Sequence, residues 1–343
     1  MRVLVTGSTG FVGSNLVEAL TARGIEVVGL QEKNAPQEAI QGLRCTPMIG
    51  DVLDLDSLRR AVTGVDWVFH VAGVADYMHT PSRVIYEVNV EGVRNMLTAA
   101  REAGVKRFVH TSSTGALGAP VDGKTLMDES DSFTIPPRRF PYGHSKHLAE
   151  AIVREAAAEG FHALSVLPSI VIGPRDVSII CGDLVIQPAR HGMPPAPPGG
   201  AGYIDVRDLA EAHIAAAARG RSGERYILSG HNLSHRELAP IVAETLGISP
   251  PRLTMPRWAL GPVGAFGDVV NALGANFPIN GQRAWLIGQN LYYDNRKAVH
   301  ELGLTARPFA QSIGDTYEWY RAHGYLEQAG IQDAPPVRYP HVE

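Results

Sequence analysis

The sequence predicts an α/β protein whose core is a doubly wound parallel sheet. Short apolar runs alternate with helix-periodic segments throughout residues 1–169, a pattern typical of consecutive strands joined by helices. The apolar run at residues 66–71 is almost uninterrupted, as expected for a strand covered by helices on both faces. A glycine-rich turn also joins the first strand to the first helix, a connection found in many sheets of this class.

The first strand, turn and helix occupy residues 1–20. Residues 3–5 have strand composition, and Gly7, Gly10 and Gly13 follow before a helix with apolar periodicity. Glycines let the backbone approach a ligand closely, and a helix start offers free N–H groups to an anion. The G-x-x-G-x-x-G spacing is a weak signal alone. Its position before repeated strand–helix units favours a Rossmann dinucleotide-binding domain over glycines that only turn the chain.

We expect this dinucleotide-binding domain to cover residues 1–170. The loop at residues 74–81 is expected to form part of the mouth of the substrate site, with Tyr77 as its most useful side chain. The remaining strands are predicted at residues 25–30, 45–50, 66–71, 105–110 and 163–167, and the long helices at residues 83–103 and 141–160.

The second half of the chain lacks the regular alternation of strand and helix patterns seen in the first half. Residues 193–202 read as a loop because proline and glycine cluster there. The pattern predicts a helix at residues 206–219 and a strand at 225–228. It also predicts helices near residues 234–246, 256–273, 295–302 and 308–323. We therefore expect a smaller, mostly helical substrate lobe at residues 171–330, interleaved with the sheet, and a loosely held tail at 331–343.

Composition and charge limit the classes of partner expected for this chain. The 343 residues carry a formal net charge of only −4, so no basic surface suggests nucleic acid or anionic lipid. Cys45 and Cys181 have no neighbours at metal-binding spacing, and we expect neither a metal site nor a disulfide. With no apolar stretch near twenty residues, we expect a cytoplasmic protein without a membrane partner. Residues 256–273 could lie on a membrane surface, but packing within the lobe is favoured.

The end of the second strand bears on cofactor choice. An acidic residue there would bind the adenosine ribose, whereas an arginine would accept a 2′-phosphate. This chain has Gln31, Glu32 and Lys33 instead. The sequence therefore leaves the choice between NAD and NADP open.

Three side chains suggest hydride-transfer chemistry. Tyr142 and Lys146 are four residues apart, one turn along the same face of a predicted helix. A lysine cation is expected to stabilise the phenolate of a nearby tyrosine and so fit it for acid–base catalysis. Ser113, at the end of the fifth strand, is placed to hydrogen-bond the oxygen of the reacting carbon. A nicotinamide cofactor would donate or accept the hydride.

The motifs together resemble the extended short-chain dehydrogenases/reductases, the NAD-dependent epimerase/dehydratase family. They are TGSTGFVG, GDVLD, HVAG, Asn89-Val90-Glu91-Gly92, TSS, YGHSK, LPSIVIGPRD and DVRDLAEAH, and they span nearly the whole chain. Within this family the chain looks most similar to the dihydroflavonol 4-reductase-like branch, particularly bacterial proteins labelled hopanoid-associated sugar epimerases.

The resemblance implies that Ser113, Tyr142 and Lys146 form the catalytic triad. It also allows for a homodimer through residues 83–103 and 141–160. The residues expected to contact the cofactor are Gly7, Thr9, Gly10, Phe11, Val12, Gly13, Gln31, Lys33, Asp51, Val52, Val71, Ala72, Gly73, Tyr142, Lys146, Pro168 and Ser169.

Departures from the family pattern bear on the reaction. The acidic pair typical of sugar-nucleotide dehydratases is replaced by Thr114 and Gly115. Where UDP-sugar epimerases have polar residues, this chain has Ile170 and Ala201-Gly202, which would cost a diphosphate its hydrogen bonds. We expect an NAD(P)-dependent oxidoreductase interconverting an alcohol with a ketone or aldehyde. An epimerase is the alternative, and a non-catalytic cofactor-binding protein is a third reading.

Overall fold

The computed structural model describes residues 1–75, 80–121, 126–274, 277 and 279–327; Tyr77 and the tail at 331–343 lie outside them. The strands are β1 Arg2–Thr6, β2 Glu26–Gln31, β3 Thr46–Ile49, β4 Trp67–His70, β5 Arg107–Thr111, β6 Ala163–Pro168, β7 Ile170–Ile172, β8 Gly200–Asp205, β9 Arg225–Leu228, β10 His231–Ser234 and β11 Asn290–Leu291. The helices are α1 Phe11–Ala22, α2 Leu55–Ala61, α3 Ser82–Tyr86, α4 Gly92–Glu102, α5 Pro141–Ala158, α6 Asp183–His191, α7 Val206–Arg219, α8 His235–Thr245, α9 Leu260–Ala272, α10 Gly281–Ile287, α11 Arg296–Leu302 and α12 Phe309–Ala322.

A seven-stranded parallel sheet has the order β3-β2-β1-β4-β5-β6-β9. The strand order reverses between β1 and β4, and such a switch point opens a crevice at the carboxyl ends of the strands. This confirms the predicted doubly wound α/β fold. The turns after β1, β4 and β5 consequently lie along one edge of the sheet.

Two apolar layers enclose the sheet. Val3 and Val5 point to the layer that also contains Leu16 of α1 and Leu209 of α7. Leu4, between them in β1, points to the opposite layer, under α2, α4 and α5. The alternation follows from the two-residue period of a strand, and it explains why both faces of this strand are apolar.

The residues after 171 are mostly helical, as expected, but they also contain strands that the sequence does not predict. They include a second sheet in which β10, β8 and β11 are neighbours and β7 pairs with β8. Strand β8 begins at Gly200, inside the segment expected to be a loop. A Cβ at Gly200 would lie 2.4 Å from the Tyr292 hydroxyl, and one at Gly202 would lie 2.5 Å from Ser229 Oγ. These glycines therefore permit close packing within a strand rather than a turn.

A buried ion pair joins the last strand of the main sheet to helix α5. Arg225 Nε of β9 lies 2.8 Å from Glu150 Oε2 of α5, and both side chains are buried. The hydroxyl of Ser112 donates to the other oxygen of Glu150. Arg225 also donates to the backbone carbonyls of Glu129 and Asp131, at 3.2 and 3.0 Å. The contact therefore links four segments that are distant in sequence.

Replacing one partner of this pair is expected to destabilise the fold strongly. Arg225→Met leaves the Glu150 carboxylate buried without its counter-ion, which costs about 3–5 kcal/mol in the free energy of unfolding. Arg59→Met, which breaks an exposed pair with Glu102, is the matched control and should barely move the urea midpoint. Equal midpoints for the two variants would contradict the role assigned to Arg225.

Candidate active site

The turn between β1 and α1 is compact because of its glycines. Gly7 has a φ of +64°, and a Cβ there would lie 3.0 Å from the Ala72 backbone. A Cβ at Gly13 would lie 2.1 Å from the carbonyl oxygen of Gly7. Gly10 is the N-cap of α1 and offers no side-chain cap. The first amides of α1 are thus left for an anionic ligand.

The hydroxyl of Thr6 fixes the loop after β4 against this turn. It accepts the backbone N–H groups of Val71 and Ala72, at 3.1 and 3.0 Å. It also lies 3.0 Å from Nδ1 of His70, which burial keeps neutral by lowering its pKa to about 3. With two amides already donating to it, the hydroxyl donates its own proton to this nitrogen. His70 therefore holds structure rather than moving protons.

Gln31 carries the feature that best fits an adenosine ribose. Its side chain is buried at the end of β2, and its Oε1 has no hydrogen-bond partner within the described chain. A buried acceptor without a partner is costly, and a ribose hydroxyl would satisfy it. Lys33 is exposed nearby in sequence, whereas Asp51 Oδ1 accepts the N–H of Leu53 at 2.9 Å. Together with the glycine turn, these residues fit NAD or NADP.

Ser113 and Tyr142 lie on two segments that pack backbone to backbone. Ser113 follows β5 and caps the 3-10 helix Thr114–Leu117, its Oγ accepting the N–H of Gly115 at 3.1 Å. A Cβ at Gly143, next to Tyr142, would lie 2.5 Å from the carbonyl oxygen of Gly115. The missing side chain at Gly143 therefore brings the start of α5 against the turn that carries Ser113.

Lys146 is buried at the carboxyl edge of the sheet. Its Nζ donates to the backbone carbonyl of Thr111 at 2.9 Å, and a Cβ at Gly73 would lie 3.0 Å from it. Burial lowers the pKa of Lys146 to about 8, and the carboxylate of Glu150, one turn further along α5, opposes that shift. The ammonium thus lies between the ends of β4 and β5, one helical turn from Tyr142.

The topology brings the expected residues to one edge of the main sheet. Ser113, Tyr142 and Lys146 lie near its middle, with the glycine turn and residues 71–73 beside them. Gln31, Asp51 and Val52 follow β2 and β3 on one side, and Pro168-Ser169 end β6 on the other. In the glycine turn, Thr9 and Val12 are half-buried and Phe11 is buried.

Asn89 is a structural residue of the site to which the sequence assigned no role. Residues 82–102 form one helix interrupted by a π-helical turn, Glu87–Glu91, which contains this asparagine. Its Oδ1 accepts the N–H of Val74 at 2.8 Å, and its Nδ2 donates to Val74 O and Ser145 Oγ at 3.0 Å. It thereby ties the loop after β4 to α5 beside Lys146. The available signals were the motif Asn89-Val90-Glu91-Gly92 and a lone amide within an apolar helical stripe.

Helix α10 supplies an aromatic wall that the sequence did not predict. Tyr142, Trp285 and Leu286 pack against the same apolar cluster, which contains Phe140. The guanidinium of Arg139 lies 4.2 Å from the ring centre of Trp285. A cleft of about 290 Å³ opens here, lined by Arg139, Arg257, Leu260, Gly261, Gly281, Ala284, Trp285, Gly288 and Gln289. No local motif marks this wall, because its parts are distant in sequence.

Two further observations concern metals and membranes. Among the described residues, no three His, Cys, Asp or Glu side chains converge as metal ligands. None of the described helices has the length and apolar character required to span a bilayer.

The close approach at Gly143 gives a direct test of the site's architecture. Gly143→Ala forces the start of α5 away from the turn that carries Ser113, and we expect a loss of about 1–3 kcal/mol in the free energy of unfolding. Gly314→Ala in α12, where the nearest atom is an ordinary 3.5 Å away, should be neutral or stabilising. Urea unfolding of both variants measures this, and an unchanged Gly143→Ala midpoint would refute the close packing.

Comparison with known proteins identifies the family. The model of the NAD dependent epimerase/dehydratase family matches residues 3–229. A dihydroflavonol 4-reductase-like protein of Synechocystis sp. is 34% identical over 339 residues, covering 94% of this chain and 95% of its own. A 4-hydroxy-2-methyl-3-oxo-4-farnesyl-3,4-dihydroquinoline-1-oxide ketoreductase of Stigmatella aurantiaca is 30% identical over 315 residues, covering 90% and 92%.

Among solved structures, that of gox2253 superposes with a TM-score of 0.82 at 32% identity, covering 95% of this chain and 99% of the other. The resemblance read from the motifs is thus confirmed. The chain belongs to the NAD-dependent epimerase/dehydratase family of extended short-chain dehydrogenases/reductases, and it is an NAD(P)-dependent enzyme.

Proposed function

We propose that this enzyme interconverts an alcohol with a ketone or aldehyde, and that its substrate is an apolar, ring-bearing ketone. The observation that carries the proposal is the buried ammonium of Lys146, one helical turn from Tyr142 and held by the carbonyl of Thr111. A charge placed there without solvent acts strongly on an adjacent phenol, which is what proton transfer at a carbonyl oxygen requires.

In reduction, the nicotinamide cofactor supplies the hydride. The phenol of Tyr142 donates its proton to the oxygen of the reacting carbonyl, and in oxidation it takes that proton back. The Oγ of Ser113 accepts the N–H of Gly115, so its own proton remains for donation to the same substrate oxygen. The ammonium of Lys146 stabilises the negative charge that develops on Tyr142.

The surroundings of Tyr142 favour an apolar substrate. Tyr142 lies beside the aromatic wall, which includes Phe140, Trp285 and Leu286. Ala201 is buried in the core of the second sheet and Gly202 has no side chain, so neither position supplies a polar side chain. Among the relatives, the Synechocystis protein is named for a dihydroflavonol and the Stigmatella enzyme for a farnesylated cyclic ketone. Both names describe ketones carried on rings.

An epimerase acting on a sugar nucleotide is the second candidate. Arg139 and Arg257 line the cleft beside α10, and two guanidinium groups would suit a diphosphate. The two reactions differ in stoichiometry. A reductase consumes one nicotinamide cofactor for each turnover, whereas an epimerase returns the hydride to its substrate and leaves the cofactor unchanged.

The first test replaces the phenol. Tyr142→Phe should lower turnover of a cyclic ketone panel on the order of a hundredfold to ten-thousandfold, because the proton donor is lost, while cofactor affinity stays within about threefold. Tyr86→Phe is the matched control, since its hydroxyl bonds His144 at 2.9 Å outside the proposed triad. Retained turnover in Tyr142→Phe would remove the assignment, and turnover without net cofactor use would favour the epimerase.

The second test is pH dependence. Burial lowers the pKa of Lys146 to about 8, so the ammonium is present below that pH and is lost above it. We expect kcat/KM for ketone reduction to fall as pH rises through about 8. Glu150→Gln removes the carboxylate that opposes the shift, so the fall should begin at lower pH. An alkaline limb at the same pH in both proteins would contradict this account.

A further inference from the structure

Helix α9 buries Leu260, Gly264 and Gly267 and leaves most of its other large apolar residues exposed. A Cβ at Gly264 would lie 2.9 Å from Ala284 of α10, and one at Gly267 would lie 1.7 Å from the carbonyl oxygen of Ile279. The helix therefore packs against its neighbours through glycine, which lets backbones approach closely. The expected packing of residues 256–273 within the lobe is therefore present, but several large apolar side chains lie outside that contact.

The outer face forms a docking stripe, which we define as Trp258, Pro262, Phe266, Val269 and Leu273. Trp258 is 77% exposed, Phe266 58%, Val269 60% and Leu273 82%, although a core would normally cover such side chains. Steps of three or four residues place them on one side of α9 and the 3-10 turn before it, over about 22 Å. A continuous exposed apolar stripe of this length indicates an interaction surface.

Two arginines and one aspartate are the charged residues in the sequence around the stripe, so positive charge is in excess. Asp268 is the only charged residue within α9, and its Oδ1 accepts the N–H of Gly281 at 3.1 Å, on the side of α10. Arg252 and Arg257, which precede the helix in the sequence, are both exposed. Neither arginine has an ion-pair partner within the described ranges of the chain. The surface that covers the stripe must therefore offer apolar groups together with negative charge.

We propose that the docking stripe and these two arginines bind the surface of a lipid bilayer that contains anionic lipids. The 13-residue helix α9 is too short to cross a hydrocarbon core of about 30 Å, but it can lie along the interface with its apolar face toward the acyl chains. Trp258 would lie at headgroup level, where tryptophan is enriched, and the arginines would meet the lipid phosphates.

A second copy of the chain fits this surface less well. It would bring the same two arginines, and from α9 it would offer them a single carboxylate, Asp268, one oxygen of which already accepts the N–H of Gly281. A bilayer that contains anionic lipids offers both the apolar groups and the negative charge. The docking stripe is independent of the proposed reaction, since none of its residues belongs to the triad.

Docking would also orient the cleft beside α10. Arg257, Leu260 and Gly261, at the amino-terminal end of α9, line the cleft that Trp285 of α10 closes on its other side. A membrane lying on the stripe would consequently meet the mouth of that cleft. An apolar substrate dissolved in the bilayer could then enter without crossing water, which connects this surface with the substrate class proposed above.

Vesicle flotation tests the proposal with the full chain. Wild-type protein should float with vesicles of phosphatidylcholine and phosphatidylglycerol, and more weakly with phosphatidylcholine alone. The double variant Phe266→Ser/Val269→Ser should partition on the order of tenfold to a hundredfold less, because two apolar contacts are lost. Arg252→Glu should weaken binding only to the anionic vesicles, in a salt-dependent manner.

Val299→Ser on α11 is the matched control, because Val299 is a 41% exposed apolar residue outside the stripe, and it should float like wild type. Thermal unfolding of each variant shows that the fold is kept. The proposal is overturned by wild-type protein that does not float, or by a double variant that floats equally well. It is also overturned if light scattering shows dimers that the double variant dissociates while vesicles go unbound, since a second copy would then cover the stripe.

Discussion

The buried ammonium of Lys146 is the interaction on which the rest of the site depends. Removing a charge from water is expensive, and this one is held by the carbonyl of Thr111 with the carboxylate of Glu150 one turn away. Glu150 in turn needs Arg225, which comes from the last strand of the sheet. The charge proposed to act in catalysis is therefore held by contacts from β5, α5 and β9, and only the complete sheet brings these elements together.

Glycine residues allow the backbone segments around that charge to pack closely. Gly7 lets the first turn meet Ala72, Gly73 leaves room for the Lys146 ammonium, and Gly143 brings α5 against the turn after β5. In each place a methyl group would occupy space that another atom of the site already fills. The same residue type allows α9 to lie close to α10, so that close backbone packing also exposes the apolar side chains proposed to meet a membrane.

The parts predicted from sequence are those with local, periodic signals. The parallel strands follow from apolar runs, and Tyr142 and Lys146 follow from the fixed geometry of one helical turn. Strand β8 was missed because its glycines resemble turn residues, although neighbours such as Tyr292 require them. Asn89 was named only as part of a motif, without a role, and Trp285 was missed. Their roles arise from contacts with Val74 and with the cluster around Tyr142, which no spacing along the chain encodes.

Direct titration of Lys146 tests the central claim. The chain has only five lysines, so nuclear magnetic resonance of labelled lysine side chains, with Lys146→Met for assignment, can follow this one group. A buried ammonium at the sheet edge should titrate near 8, as burial lowers its pKa to about 8. A midpoint at about 10.4, the value of a lysine in water, would show that the group is solvated and would contradict the account.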